Sequence, residues 1–131
     1  MSKLNYTDYF LKLADVVSER SSCCKSHYGA VIVKQHRILS TGYNGTPAGW
    51  VNCDEGGCIR CNGDAPHGEQ YEYCSCVHAE TNAVLAAARF GVELDGSTLY
   101  TQEFPCDLCV KELVQCGIIN VVYRGGTRWI N

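Results

Sequence analysis

Apolar side chains recur at helical spacing near the beginning of the chain, and two β-type runs follow them. The spacing predicts an amphipathic helix over residues 5–19 that lies on the core, with Asn5 as a candidate cap. The apolar positions are Tyr6, Tyr9, Phe10, Leu13, Val16 and Val17. The runs 28–34 and 37–43 are separated by only two polar residues, so they are expected to form a β-hairpin.

The second half of the chain alternates between predicted helices and strands. We expect helices over residues 78–90 and 106–115, and strands over 98–101 and 118–123. The first of these helices is apolar almost all round, so burial under a sheet is expected. Its apolar positions include Ala83, Val84, Leu85, Ala87 and Ala88. The alternation favours one α/β domain over residues 1–131, with helices covering the sheet.

Two short motifs in this half carry the ligand types of a zinc site. His78-x-Glu80 is followed by a Pro-Cys-x-x-Cys motif that contains Cys106 and Cys109. One imidazole and two thiolates hold a tetrahedral zinc and leave its fourth position for water, as catalytic sites do. This order of motifs is the signature of zinc-dependent nucleobase deaminases. The alternative is a purely structural Cys/Cys/His site.

Glu80 is the predicted proton carrier, because it stands two residues from a ligand and can face the open position without occupying it. We expect its loss to abolish turnover and to leave zinc in place. His78 opens one predicted helix, and Cys106 and Cys109 share one face at the start of another. Two helix N-termini are therefore expected to converge on the metal, where their N–H groups favour thiolates.

Residues 44–77 show no periodicity and are rich in Gly, Asp and Cys. A connection of this length is uncommon in a compact domain unless it is functional or tied down internally. The spacing of Cys58-x-x-Cys61 is that of a zinc knuckle and predicts a second, structural zinc, with free buried thiols as the alternative. Six candidate ligands exceed the four that one site needs: Cys23, Cys53, Cys58, Cys61, Cys74 and Cys76. The two remaining cysteines, Cys24 and Cys116, are expected in the core.

The composition is typical of a small enzyme in a reducing compartment. The 131 residues include ten cysteines, yet no apolar run has membrane length and the start of the chain lacks a secretory core. A cytoplasmic location is therefore expected, in which clustered cysteines serve as metal ligands. The net charge is only −3 without basic runs, so we expect a mononucleotide-sized substrate and no nucleic acid or membrane partner.

Several stretches across nearly the whole chain resemble the deoxycytidylate (dCMP) deaminases of the cytidine deaminase superfamily. These stretches are 29–33, 40–49, 78–83, 99–101, 105–109 and 117–118. The Gly-Tyr-Asn-Gly sequence at 42–45 separates this branch from tRNA adenosine deaminases. The resemblance implies a three-layer α/β/α fold with a central mixed sheet. It also implies zinc-dependent hydrolysis of dCMP to dUMP and ammonia, which supplies the precursor of thymidylate.

The resemblance implies roles for further residues. Asn44 corresponds to a sugar contact, and the backbone N–H of Ala79 to a contact with the pyrimidine carbonyl. Lys25 and Tyr123 are candidate phosphate contacts. Lys25 stands where relatives often have arginine and cannot form a bidentate fork to phosphate. Tyr123 is equally explained as an ordinary strand aromatic.

Regulation and assembly are also implied by the resemblance. Many relatives are homohexamers that are activated by dCTP with Mg²⁺ and inhibited by dTTP. Some relatives have further helices after the strand that corresponds to the last predicted strand here. The effector site of these relatives corresponds to Gly42, Tyr43, Asn44 and Gly45. Some relatives carry a second zinc. Cys23 and Cys53 correspond to its cysteine ligands in those relatives, and Cys76 occupies another matching position.

Two other functions stay open. The protein could deaminate a different substrate, such as dCTP, cytidine, a tRNA adenosine or a base in single-stranded DNA, although a polymer reader usually needs a positive groove or stacking aromatics. It could instead be a non-catalytic zinc nucleotide sensor. Glu80 argues against the sensor, because a closed structural site does not need a carboxylate beside its metal.

Overall fold

A five-stranded mixed sheet forms the centre of the structure, a computed structural model that describes residues 2–64, 69 and 74–131. The strands lie in the order β2-β1-β3-β4-β5. Within the described sheet, β3 and β4 run parallel and the other neighbouring strands are antiparallel. The strands are β1 (Gly29–Lys34), β2 (Arg37–Tyr43), β3 (Thr98–Thr101), β4 (Asn120–Tyr123) and β5 (Gly126–Trp129).

Helix α1 (Tyr6–Ser18) covers one face of the sheet. Its buried Phe10 packs with Val31 and Val33, two alternate positions of β1. The Asn5 side chain accepts a hydrogen bond from the Asp8 N–H at 2.8 Å, so the predicted cap is present. The helix predicted over residues 5–19 is thus confirmed.

Helices α2 (Ala79–Phe90) and α3 (Asp107–Gln115) cover the other face. Ile32, which points away from α1, packs in one cluster with Ala83 of α2 and Leu113 of α3. Successive side chains of a strand point to opposite faces, so α1 and the α2/α3 pair enclose the sheet. This is the three-layer α/β/α arrangement with a mixed sheet that the resemblance implied, and the fold class is confirmed.

The predicted hairpin is also present, and its turn has the expected geometry. Gln35 and His36 have φ angles of 51° and 62°. Left-handed backbone at both central positions is the type I′ turn, whose twist matches that of the paired strands. Two residues therefore suffice to join β1 to β2.

The prediction that α2 is buried under the sheet is confirmed for one side of the helix, where Ala83 and Ala87 pack against the strands. One side of the helix meets the sheet, whereas Leu85 is 53% exposed and Phe90 is 73% exposed. A helix laid on a sheet buries only the stripe that faces the strands, whatever residues stand on its outer side. Exposure of these two apolar side chains follows from the layer geometry.

Strand β5 was not predicted from the sequence. It pairs antiparallel with β4 and forms an edge of the sheet, where all four of its residues are exposed. An exposed edge strand needs no alternation of apolar and polar positions, so the pattern carried no signal for it. The described helices are short, and none has the length and apolar content to cross a membrane.

The Cys-rich segment is closed at its base by a small bridge. Gly45 and Val77 exchange two backbone hydrogen bonds, with N···O distances of 3.2 and 2.7 Å. A single 3₁₀ turn, Cys53–Glu55, is the regular structure in the described part of this segment. The bridge brings the end of the segment to the start of α2, next to His78.

Candidate functional site

Two helix N-termini meet at the predicted metal triad. His78 is the N-cap of α2, Cys106 is the N-cap of α3, and Cys109 lies in the first turn of α3. The Nδ1 atom of His78 lies 3.6 Å from Cys106 Sγ and 3.4 Å from Cys109 Sγ. One ligand atom from each residue falls within 4.8 Å of the others. The donor set of one imidazole and two thiols, held at these distances, fits a zinc site with one position left for water.

Glu80 lies in the first turn of α2, beside this triad. Its side chain is almost fully buried, and burial raises the pKa of the carboxyl above its ordinary value. The Cys109 thiol and the Thr101 hydroxyl lie against the carboxyl. A raised pKa favours a carboxyl that both accepts and donates a proton near neutral pH.

A cavity of about 200 Å³ opens next to the triad. His78, Glu80 and Cys106 lie in its wall, so the metal ligands and the carboxyl face the same space. Of the residues predicted to contact a substrate, three line the cavity, namely Lys25, Asn44 and Ala79. Tyr123 is not among the described residues of the wall. Its ring instead packs edge-on against Phe104, which does line the cavity.

Asn44 is buried at the edge of the cavity and ties two segments together. Its side-chain oxygen accepts a hydrogen bond from the Tyr28 N–H at 2.9 Å, and its amide nitrogen donates to the Ser26 carbonyl at 2.9 Å. Its own carbonyl accepts from the Ser21 hydroxyl at 2.8 Å. These bonds orient the amide, which still offers a second N–H and a second lone pair.

The other residues of the predicted effector stretch lie beside Asn44. Gly42 is buried, and a Cβ at this position would stand 2.4 Å from the Ala79 carbonyl oxygen of α2. Tyr43 is exposed at its side chain, and its carbonyl accepts from the Asn82 amide at 2.7 Å. Gly45 forms the bridge to Val77 that closes the Cys-rich segment. The stretch therefore joins the start of α2 to that segment.

Arg60 is a wall residue that the sequence did not indicate. The side chain is only 7% exposed and lines the cavity, whereas its neighbour Ile59 is 84% exposed. The Nε atom donates to the Glu69 carbonyl at 2.8 Å, and Nη1 lies 3.9 Å from Cys61 Sγ. This inverts the usual preference for buried isoleucine and exposed arginine, so no pattern of polarity could reveal it.

All six candidate ligands of the second site gather in one cluster, in which four are buried and two, Cys74 and Cys76, are partly buried. Its members are Cys23, Cys53, Cys58, Cys61, Cys74 and Cys76, and none of them forms a disulfide. A hydrogen bond from Cys76 lowers the pKa of Cys23 to about 4. Burial raises the pKa of Cys58, but the backbone N–H groups of Cys61 and Ser75 lower it to about 6 overall. These two thiols favour the thiolate form that metals bind, whereas the pKa values of Cys53, Cys61 and Cys76 are raised by burial and by the neighbouring thiols.

The prediction that Cys24 lies in the core is wrong. Its side chain is exposed at the rim of the Cys-rich cluster, and its backbone N–H donates to Cys53 Sγ over 3.4 Å. Its thiol donates to the Cys61 carbonyl at 3.1 Å, so the residue packs on the outside of the cluster. Cys116, by contrast, is half-buried and packs against the main core, as predicted.

The structure has an α/β/α fold in which a histidine and a glutamate stand at the start of one helix and two cysteines at the start of the next. This combination defines the class of zinc-dependent nucleobase deaminases. Residues 4–124 match the family described as the cytidine and deoxycytidylate deaminase zinc-binding region. The chain belongs to this family. Zinc binding by the triad is consistent with the matched region, which is named for it.

Known proteins of this family are similar over almost the whole chain. The deoxycytidylate deaminase of Saccharomyces cerevisiae is 46% identical over 125 residues, and that of Schizosaccharomyces pombe is 43% identical over 120 residues. The alignments cover 95% and 92% of this chain but only 39% and 37% of those two proteins. The chain thus spans less than half the length of these fungal relatives.

A solved structure supports the same family at the level of the fold. The dCMP deaminase from the cyanophage S-TIM5, in complex with dCMP and dUMP, superposes with a TM-score of 0.76 and is 32% identical. The superposition covers 94% of this chain and 83% of that one.

Proposed function

We propose that the protein is a zinc-dependent hydrolase that converts dCMP to dUMP and ammonia. The observation that carries this proposal is the position of Glu80, a buried carboxyl in the cavity wall beside the ligand atoms of His78, Cys106 and Cys109. A purely structural metal site has no use for such a carboxyl. The names of the relatives and the nucleotides in the cyanophage structure support dCMP as the substrate.

The triad would hold zinc through Nδ1 of His78 and the two sulfurs. Zinc bound there supplies the activation that turns water into a nucleophile at neutral pH. Glu80 would take a proton from the attacking water and pass it to N3 of the pyrimidine. It then carries the second proton to the amino group on C4, which leaves as ammonia while oxygen takes its place. The atoms balance as dCMP plus water giving dUMP plus ammonia.

The first turn of α2 supports binding of the base. The N–H of Ala79 is one of the helix N-terminal groups that have no partner within the helix. It lies in the cavity wall beside Glu80, so it suits the pyrimidine carbonyl. We assign the sugar to Asn44, whose amide is oriented by its bonds to Tyr28 and Ser26.

We assign the phosphate to the two cations of the cavity wall, Lys25 and Arg60. A phosphate monoester carries about two negative charges and favours arginine, whose planar fork can bond two oxygens at once. Arg60 therefore adds a second positive charge to the wall beside Lys25. Tyr123 stays a weaker candidate, since its ring is engaged with Phe104.

Several features of the proposal rest on the resemblance. They are a structural zinc in the Cys-rich segment, activation by dCTP with Mg²⁺, inhibition by dTTP, assembly as a homohexamer and a cytoplasmic location. The effector would bind near Gly42, Tyr43, Asn44 and Gly45. Exposed apolar side chains outside the cavity, such as Trp50, Leu108 and Trp129, support burial in an assembly.

One assay tests the reaction. Purified protein is incubated with dCMP, dCTP, cytidine and a short cytosine-containing oligonucleotide, and ammonia and deaminated product are measured with and without dCTP and Mg²⁺. We expect dCMP to be the preferred substrate and the Glu80→Gln variant to be inactive. Preference for the oligonucleotide would refute the proposal. Nucleotide binding without deamination of any substrate would identify a sensor.

A further inference from the structure

The six clustered cysteines, four buried and two partly buried, form two four-cysteine groups that share two members. One group is Cys23, Cys53, Cys61 and Cys76, and the other is Cys58, Cys61, Cys74 and Cys76. Within each group all four sulfurs lie within 4.8 Å of one another. Each group contains enough ligands for one tetrahedral zinc, and the shared pair is Cys61 and Cys76.

The sulfur–sulfur distances match those of zinc tetrahedra. A tetrahedral zinc with Zn–S bonds of about 2.3 Å places its sulfurs about 3.8 Å apart. Cys23 and Cys61 of the first group are 3.7 Å apart. In the second group, Cys74 lies 3.7 Å from Cys58 and 3.9 Å from Cys61. One edge of the first group and two edges of the second therefore have the length that zinc requires, and the remaining sulfurs lie within 4.8 Å of one another.

Neither disulfide bonding nor apolar packing accounts for the cluster. A disulfide has an S–S bond of about 2.05 Å, much shorter than the distances found here. An apolar core would mix cysteine with aliphatic side chains, yet this cluster consists of cysteines alone among the described residues. It is also separate from the two clusters that hold the helices to the sheet.

We propose that this cluster binds two zinc ions, with Cys61 and Cys76 bridging them and the other four cysteines each bound to one ion. This inference goes beyond the proposed deamination and beyond a single structural zinc. One ion at either group would leave two of the six clustered sulfurs without metal. Two ions use all six, and the two tetrahedra share one edge.

The surroundings suit the charge of such a cluster. Six thiolates and two Zn²⁺ ions carry a net charge of about −2. The N–H groups of Cys24 and Ser75 donate to the terminal sulfurs of Cys53 and Cys58 over 3.4 and 3.2 Å. The guanidinium of Arg60 lies 3.9 Å from the bridging sulfur of Cys61. Donors and a cation thus offset the negative charge.

The cluster also forms part of the cavity wall. Cys23, Cys61, Cys74 and Cys76 line the cavity, and Arg60 lies next to Cys61 in sequence. Two metal ions would cross-link the segment before β1 to three separate parts of the Cys-rich segment. They would thereby hold Arg60 in the cavity wall. The part of the wall that the Cys-rich segment forms contains little helix or strand that could hold it otherwise.

The test is the metal content of the full chain in the Glu80→Gln variant, measured by elemental analysis and by native mass spectrometry. We expect three zinc ions per chain, one at the triad and two at the cluster. Two ions per chain would overturn the proposal. Cys106→Ser should lower the count to two, whereas Cys24→Ser, which alters a cysteine outside both groups, should leave it at three.

A second measurement covers variants that fail to fold. X-ray absorption of the unaltered zinc protein should show a zinc–zinc separation of about 3 Å, as expected when two tetrahedra with bonds of about 2.3 Å share an edge. Absence of that separation would overturn the bridging.

Three ions in a protein that deaminates nothing would refute the proposed function alone. Two ions in an active enzyme would refute the binuclear cluster alone.

Discussion

The Nδ1 atom of His78 lies 3.4 Å from the Sγ atom of Cys109, although the residues belong to different helices and are 31 positions apart. A tetrahedral zinc with bonds of about 2.05 Å to nitrogen and about 2.3 Å to sulfur would separate these atoms by about 3.6 Å. The fold alone thus brings the two ligand atoms to the spacing that the metal needs. The helix N-termini that meet there favour the charged thiolates.

Replacement of Cys106 by serine should remove one zinc per chain and nearly all turnover. We expect the rate to fall by on the order of a thousandfold, because metal activation contributes several kcal/mol. Cys116→Ser is the matched control, since Cys116 caps the other end of α3. Metal analysis and an ammonia assay check both variants. Equal losses in the two would contradict the assignment of the triad.

Glu80→Gln should separate catalysis from metal binding. The amide keeps the shape of the side chain but cannot carry a proton, so kcat should fall by about 10²–10⁴-fold while zinc stays bound. Glu93→Gln, at an exposed position away from the cavity, should keep full activity. Loss of zinc from the Glu80 variant would show that the carboxyl supports the metal and not the proton transfer.

Arg60→Ala should weaken binding of dCMP far more than binding of deoxycytidine. A charge-assisted hydrogen bond contributes about 1.5–3 kcal/mol, which corresponds to a loss in affinity of roughly 10- to 100-fold. Calorimetry on protein that also carries Glu80→Gln measures both ligands without turnover. Arg89→Ala, on the exposed end of α2, is the control. Equal weakening of both ligands would mean that Arg60 supports the pocket and not the phosphate.

Gly42→Ala should destabilise the fold. The added Cβ would stand 2.4 Å from both the Ala79 carbonyl oxygen and the Ala83 nitrogen, so the backbone of α2 has to move. Overpacking of this kind costs about 1–3 kcal/mol in the free energy of unfolding. Urea denaturation checks the effect. Thr41→Ala, at the neighbouring exposed position, should cost less than about 1 kcal/mol. A larger loss there would contradict the packing argument.

The contact between Asp15 and Arg124 should matter at neutral pH and vanish in acid. Burial acts to raise the pKa of Asp15, but hydrogen bonds from Arg124 and Gln102 bring it below the ordinary 3.8. A lowered folded pKa adds stability above pH 3.8 that disappears as the pH falls through the folded value. The Arg124 and Asp15 side chains are 59% and 41% exposed, so solvent screens the pair and Asp15→Asn should cost less than about 1 kcal/mol.

Urea unfolding of the Asp15→Asn protein at pH 7 and at pH 3 measures this dependence. We expect the difference from the unaltered protein to shrink at the lower pH. A difference that grows in acid would have the wrong sign for a paired carboxylate.

Much of the fold and the metal triad followed from local patterns. The spacing of apolar residues predicted α1 and the hairpin, because one helix face or one strand face is a property of neighbouring positions. His78, Glu80, Cys106 and Cys109 were found in the same way, since each pair lies within one turn of chain. That the two motifs meet was predicted from their joint occurrence, which is the signature of zinc-dependent nucleobase deaminases.

Other features depend on contacts between distant segments. The exposed edge strand β5 is stabilised by its partner β4 and not by its own pattern. Arg60 is buried and Ile59 exposed because the Cys-rich segment folds back on the cavity. The sharing of Cys61 and Cys76 between two groups likewise arises only when four separate segments meet.

The sequence by itself determined which residues can carry the chemistry, since ligand type and short spacing are written in neighbouring positions. Only the tertiary structure decided which cysteines face one another and which cations line the cavity. Those contacts form between residues that are far apart in sequence. Local sequence patterns do not indicate them, because they depend on how the whole chain folds.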